Sequence, residues 1–383
     1  MRFSLNLAIL VFFSSVLTSC NLLGSTSSFP NRTPVAWSIS LEGYGEVEQS
    51  GGLLLGMADR TTEDRLVAVD LSGKEIAWKS DAVGFQGGDL VTASTEQYVY
   101  AQVIQAEGFY IYTKSGDLVQ QVVFPDPYES NVSTMHPVVY DDRLYISNGR
   151  HLHAYDLTKP ASPSLVWKIS YNYNFKAVAV DEMGNLFVSM ATTKDLDVAL
   201  KRLDPADGSV IWQASTRTDK VNEQLAAYAL EVEGEKLFAA ALGTLQAFNK
   251  ETGERLWVSD PLICTSDGIQ VASAMELAQD TAYLAPRGGS CVFAVDLANG
   301  SMLWMHNAKV VPSAWFSYGG KPKYYNGVVY VANSYLWALD AKTGEVLSLS
   351  NIQDRLAQFT YVEEYGGEIL VWGEKLRAYK PIR

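Results

Sequence analysis

The pair His151-Leu152-His153 is the spacing in this chain best suited to holding a metal. Two residues apart on a strand, both rings fall on one face, and neutral imidazoles so placed can share an ion. No third ligand stands close by in sequence. The pair therefore reads as part of a hairpin arm, at a turn or on the surface, and no metal is expected. His136 and His306 are isolated. Apart from Cys20, the cysteines are Cys264 and Cys291. In an oxidising compartment they can close a loop of about 27 residues, worth roughly 3 kcal/mol in the chain-entropy picture. Two separate buried thiols are the alternative, because spacing does not place the sulfurs. Carboxylates are abundant, but no two are grouped as an acid/base pair. Neither Gly-x-Ser-x-Gly, nor His-Glu-x-x-His, nor a phosphate-cradling loop occurs. These residues yield no catalytic assignment and no cofactor.

The elements that would carry such side chains recur along the chain. A hydrophobic pair leads into Asp or Asn, then a tight turn with Gly, then a strand carrying Trp. The copies place Asp70, Gly73 and Trp78 together, then Asp204, Gly208 and Trp212, then Asn249, Gly253 and Trp257, then Asp296, Gly300 and Trp304. Asp340 and Gly344 form a copy without the Trp, Asp156 leads to Trp167 through a Pro-rich turn, and Tyr112 to Gly116 is a weaker copy. A period of about 43 to 47 residues suits a four-stranded antiparallel blade and denotes an array of like units. The stretches 236–248 and 327–340 each hold two β-rich runs about a short turn, as hairpins do. No convincing helical period follows residue 33, apart from an ambiguous patch near 222–231.

The ends of the chain fix the count. Leu376-Arg377-Ala378-Tyr379 is the first half of the motif, and Val35-Ala36-Trp37-Ser38 supplies the second half. Joined in one blade, they close the ring and leave no free sheet edge. The expectation is an all-β, eight-bladed β-propeller of four-stranded antiparallel blades over 34–383, its last blade closed by the N- and C-terminal strands. The repeated Asp and Asn side chains are then turn-formers, Gly supplies positive φ, and each Trp packs between blades. They belong to the scaffold.

Residues 1–19 read as a signal peptide: Met1-Arg2, then an apolar core over 5–17 too short to span a bilayer as an anchor. It runs into Leu17-Thr18-Ser19-Cys20, which resembles the bacterial lipobox. The resemblance implies cleavage before Cys20 and acylation of that residue, giving firm anchoring without a transmembrane helix. Residues 20–33 form the lipidated Cys and a short linker. Asn21 after the Cys implies sorting to the outer membrane, with the propeller in the periplasm. The formal charge is −13 with no basic run, which argues against nucleic acid and anionic headgroups as partners.

The copies at 247–257, 294–304 and 338–344 resemble the repeat of pyrroloquinoline quinone (PQQ) dependent dehydrogenases. That resemblance implies an eight-bladed ring, with the quinone and Ca²⁺ over the central channel. Many such enzymes carry a vicinal Cys pair beside the cofactor. This chain has no adjacent cysteines and no long insertions, so no PQQ is expected. A fuller resemblance, over 34–383 plus the lipobox, is to the BamB family of outer-membrane assembly lipoproteins. It rests on the length, the lipidated Cys, the split blade and the seventh copy without Trp. It implies a non-catalytic, monomeric scaffold that binds a POTRA domain of BamA, the barrel-inserting subunit. The family's partner loops carry Leu-x-Leu-Arg and Asp-x-Asp; here the corresponding stretches are 171–176 and 217–223, and neither motif is present. The candidates are this chain's own: Tyr171, Tyr173 and Phe175 on one face of an alternating run, with Lys176 and Asp219. A scaffold for another envelope complex, or a PQQ-dependent oxidoreductase, are the alternative readings.

Overall fold

A computed structural model describes residues 32–382, except 42, 59–64, 82–89, 104–106, 127–134, 192–198, 221–226, 242, 265–267, 270–271, 287–290, 308–319, 334, 351–360 and 374. Residues 1–31, where a signal peptide and the lipidated Cys20 are expected, lie outside the described residues. Eight four-stranded antiparallel sheets follow one another as meanders. Each meander begins at an inner strand, and each inner strand touches the next around a closed ring. Blade 3, for example, runs Val138–Tyr140, Arg143–Asn148, His151–Asp156 and Ser164–Ser170 from inside outward. Blade 4 runs Phe175–Val180, Leu186–Met190, Leu200–Leu203 and Val210–Ala214. The described part of the ambiguous patch is strand Ala227–Glu233, and no helix occurs among the described residues.

Burial follows position in the blade. The third strands are apolar on both sides, as in Arg65–Asp70, because each lies between two neighbouring sheets. The outer strands alternate, as in Glu75–Lys79, since one side faces water. The apolar core is therefore divided into eight layers, one per seam between blades. Blade 8 is the composite one. Val35–Ser40 pairs antiparallel with Lys375–Tyr379, which continues to Glu368–Trp372 and the inner strand Tyr361–Tyr365. At the closing seam Trp372, 1% exposed, fits against Gly43 and Gly56 of blade 1, where a Cβ would come within 2.7 Å of its ring.

One device fastens five of the other seams. The outer-strand Trp of a blade lies flat on the turn glycine of the next, so a Cβ on Gly253 would meet Trp212 at 2.6 Å. Gly253 also has φ +74, which a side chain disfavours. The indole N–H then donates to a carbonyl of that turn: Trp78 to Lys114 (2.8 Å), Trp167 to Pro205 (2.9 Å), Trp212 to Lys250 (2.9 Å) and Trp304 to Ala341 (3.0 Å). Trp257 is the exception. The carbonyl in its place, that of Leu297, accepts from Lys236 at 3.0 Å, and the indole N–H has no partner.

Blade 1 corrects the reading of Gly73 as a positive-φ glycine. Its turn is one residue shorter between Asp and Gly, so the left-handed position falls on Lys74, at φ 57. The Lys74 ammonium lies 5.3 Å from the Trp37 ring centroid and bonds Glu368. The seventh copy shows what replaces its missing Trp. Ser348 stands there, fully buried, and shares a 2.8 Å hydrogen bond with Thr33. Arg32 bridges Leu349, and Lys380 N–H donates to Pro34 O at 3.1 Å. The segment entering the closing strand thus fills the space a Trp would need.

Candidate functional site

A four-strand meander sends its connections alternately to the two ends of the ring. The inner-to-second and third-to-outer turns share one end, the turn end. The second-to-third and outer-to-inner connections share the other, the loop end. The motif Asp and Asn residues all lie at the turn end, folded onto their own backbones. Asp204, for instance, accepts from Ala206 N–H at 2.8 Å and Asn249 from Glu251 N–H at 2.9 Å. Backbone bonds from Gly73 and Ser72 hold the exposed Asp70 carboxyl below its usual range. These groups have the scaffold role and converge on nothing.

The predicted partner residues all come to the loop end, around blades 3, 4 and 5. Tyr171 is half-buried in the connection from blade 3 to blade 4, its N–H donating to Arg150 O at 3.0 Å. Its ring lies 5.8 Å from Phe175 and 5.1 Å from the Lys201 ammonium. Tyr173 is half-buried in the same bend. Phe175 overturns part of the expectation. The run 171–174 is a bend and not an alternating strand, so Phe175 begins blade 4 fully buried in the seam core. It supports Tyr171 from beneath and presents nothing outward. Lys176 sits where the register with the second strand shifts, half-buried, with its ammonium 5.9 Å from the Tyr228 ring on blade 5. Asp219 is exposed in the connection from blade 4 to blade 5. That connection is fastened at Arg217, whose carbonyl accepts from Arg255 at 2.6 Å, and at Lys220, whose ammonium bonds Asp260 at 3.1 Å. Residues 221–223 lie outside the described residues.

Lys201 was not foreseen. It is 6% exposed, and its ammonium meets the Gln213 side-chain oxygen at 2.8 Å together with the Tyr171 ring. Burial pushes its pKa below the usual lysine range. On a short strand it reads as an ordinary solvated lysine; only the arrival of Tyr171 from the neighbouring blade covers it.

The histidine pair also differs from expectation. His151 and His153 do share a face, their ring centroids 6.3 Å apart, but His153 is wholly buried. Phe124 of the preceding blade stacks on it at 4.9 Å. Burial pushes its pKa down to about 4, so the ring is neutral. Asp126 supplies a carboxylate 3.7 Å away, yet both its oxygens are bonded by Lys168 at 2.8 Å. That bond, more than any other, holds the Asp126 carboxyl below its usual range. Among the described residues no group of three His, Cys, Asp or Glu side chains is placed to hold a metal.

Ion pairs tie blades 5 to 8 around the channel. Lys321 bonds Glu231 at 3.2 Å and Glu276 at 3.5 Å, while Lys323 bonds Glu363 at 3.3 Å. The carboxylates that these pairs bring together, of Glu231, Glu276 and Glu363, are thereby held by the two lysines. Cys264 and Cys291 are not a vicinal pair. Their sulfurs lie 2.01 Å apart, joining a small ribbon (Ile263–Cys264 with Gly268–Ile269) to the third strand of blade 6.

The family model described as "Outer membrane protein assembly factor BamB" matches residues 157–313, which run from the end of blade 3 past blade 6. Among solved structures, BamB from Moraxella catarrhalis superposes with TM-score 0.65 at 12% identity, over 91% of this chain and 100% of that one. This is a BamB-like PQQ-repeat propeller. Two further structures show how widely the architecture of this BamB-like ring is shared. The computationally designed Ika8 protein has TM-score 0.67 at 10% identity, over 92% of this chain and 100% of that one. Quinohemoprotein alcohol dehydrogenase from Comamonas testosteroni has TM-score 0.69 at 14% identity, over 92% of this chain and 77% of that one. No curated protein sequence matches the chain. At such identities the structural likeness shows the fold alone.

Proposed function

We propose that this propeller is a non-catalytic scaffold lipoprotein of the outer membrane, anchored through Cys20. In this reading its loop end docks a periplasmic domain of the BamA type and so assists insertion of β-barrel proteins. The observation that carries the reading is the family-model match over 157–313, which includes the connections from blade 3 to 4 and from blade 4 to 5. Tyr171, Tyr173, Lys176 and Asp219 then form the contact surface, with Phe175 and Lys201 holding Tyr171 in place. The non-catalytic part is supported by where the polar groups go: the motif carboxylates serve turns, and Asp126 is committed to Lys168.

The test is purification of the lipidated protein from mild-detergent envelope extracts, followed by mass spectrometry of what accompanies it. Stoichiometric BamA is the expected result, with recovery reduced severalfold by Tyr171→Ala combined with Lys176→Glu. The absent Leu-x-Leu-Arg and Asp-x-Asp segments favour one competing reading, a scaffold for a different envelope complex. Recovery of such a complex without BamA would replace the first reading with the second.

A further inference from the structure

We infer that the rim where blades 7 and 8 meet is the surface that lies against the membrane, with Lys342 and Lys380 on anionic headgroups. The inference rests on the proposed anchoring at Cys20. The tether reaches the folded ring at Arg32, about 12 residues on, a length that spans no more than about 40 Å even when extended. Its point of entry cannot move. Arg32 bridges Leu349 of blade 7, the buried Thr33 bonds Ser348, and Pro34 O accepts from Lys380 of blade 8. The anchor therefore pulls on this seam and on no other.

The overall charge argues against anionic headgroups for the molecule at large, so the contact is a local one at this rim. The chain carries −13 overall, yet Lys342 in the turn before the blade 7 outer strand is exposed and makes no ion pair among the described residues. The same holds for Lys380, which leaves the third strand of blade 8. Both stand at the turn end of the ring, Lys380 next to Pro34 and the exposed Val35. Lys74, Lys168 and Lys220 are by contrast neutralised by carboxylates. Lys159 on blade 3 and Lys375 at the loop end of blade 8 are exposed as Lys342 is, so it is the tether and not the lysines alone that selects this rim. The opposite rim, at blades 3 and 4, lies two blade widths and the channel away. Three strand spacings of about 4.8 Å per blade make that more than roughly 30 Å. Bringing it to the lipid needs a nearly extended tether and gives up the lysine contacts.

The experiment uses the full lipidated chain in vesicles of phosphatidylethanolamine and phosphatidylglycerol carrying headgroup nitroxides. A fluorophore is placed at Ser38→Cys on blade 8 or at Val210→Cys on blade 4, both exposed positions on outer strands. Quenching severalfold stronger at 38 than at 210 is expected. Lys342→Glu with Lys380→Glu should weaken that preference, by roughly five-fold per lysine at an anionic surface, and leave it unchanged on neutral vesicles. Equal quenching at both positions, or stronger quenching at 210, overturns the orientation. A preference indifferent to the charge reversals strikes out the lysine contact. Flotation with the vesicles reports on the anchor separately. If the unaltered chain floats no better than Cys20→Ser, the anchoring reading fails and this surface falls with it.

Discussion

His153 is neutral in the fold because Phe124 and the blade 2–3 seam exclude water from it, and neither ring nitrogen has a hydrogen-bond partner. Its folded pKa of about 4 lies below the unfolded value of about 6.5. A base so depressed favours the fold fully above the unfolded pKa. That contribution is lost as pH falls from 6.5 toward 4, where the unfolded chain takes up the proton and the folded one does not. The loss is about 3 kcal/mol at most across that window. Denaturant unfolding at pH 7 and pH 4.5 should show the decline, and His153→Phe should remove most of it; an unchanged slope in the variant would assign the acid sensitivity elsewhere. Asp126, with its pKa lowered, acts only below its own range, outside this window. At this scale the spacing of His151 and His153 was legible because it is local. The burial of His153 and Lys201 was not, since the covering rings, Phe124 and Tyr171, arrive from other segments.

At the scale of the element, six seams place an aromatic ring where a glycine has no Cβ. Gly253 and Gly234 separate the two parts of that requirement. Both have positive φ, 74° and 56°, but a Cβ at Gly253 meets Trp212 at 2.6 Å while one at Gly234 meets nothing within 4 Å. Gly234→Ala should cost about 1 kcal/mol for the strained backbone alone. Gly253→Ala should cost about 2–4 kcal/mol, because the seam must also open around the ring. Thermal or denaturant melts of the two variants decide it. Equal losses would show that the Trp contact contributes nothing to the seam. The repeat made these turns readable from sequence, down to which strand carries the Trp. It misplaced the positive φ of blade 1, where the shortened Asp-to-Gly spacing shifts it onto Lys74. It also gave no reason for the missing seventh Trp, because Thr33, which occupies the space beside Ser348, lies more than 300 residues away.

The ring as a whole is closed by a single non-covalent joint within a blade, the pairing of Val35–Ser40 with Lys375–Tyr379. The sequence announced this joint through its two half-motifs, and with it the eight blades. Which loops meet a partner was less legible: Phe175 proved to be core, and proximity at the loop end comes from topology and not from spacing. The joint predicts how the molecule fails. A chain beginning at Gly43 would uncover the edge of Lys375–Tyr379, including Leu376, Ala378 and Tyr379, all fully buried in the closed ring. It would also remove Thr33 from Ser348 and leave a long apolar edge able to pair with other chains. Such a chain should associate on size-exclusion chromatography and lose the cooperative melt, whereas one beginning at Arg32 should keep both the monomer peak and the melt. Adding a peptide of residues 32–41 should restore the shorter chain, because the missing strand is held by pairing and packing with no covalent link to its partner. A monomeric, cooperatively melting chain from Gly43 would mean that seven complete blades and a three-stranded eighth suffice, and that the closing strand serves only as the attachment for the tether.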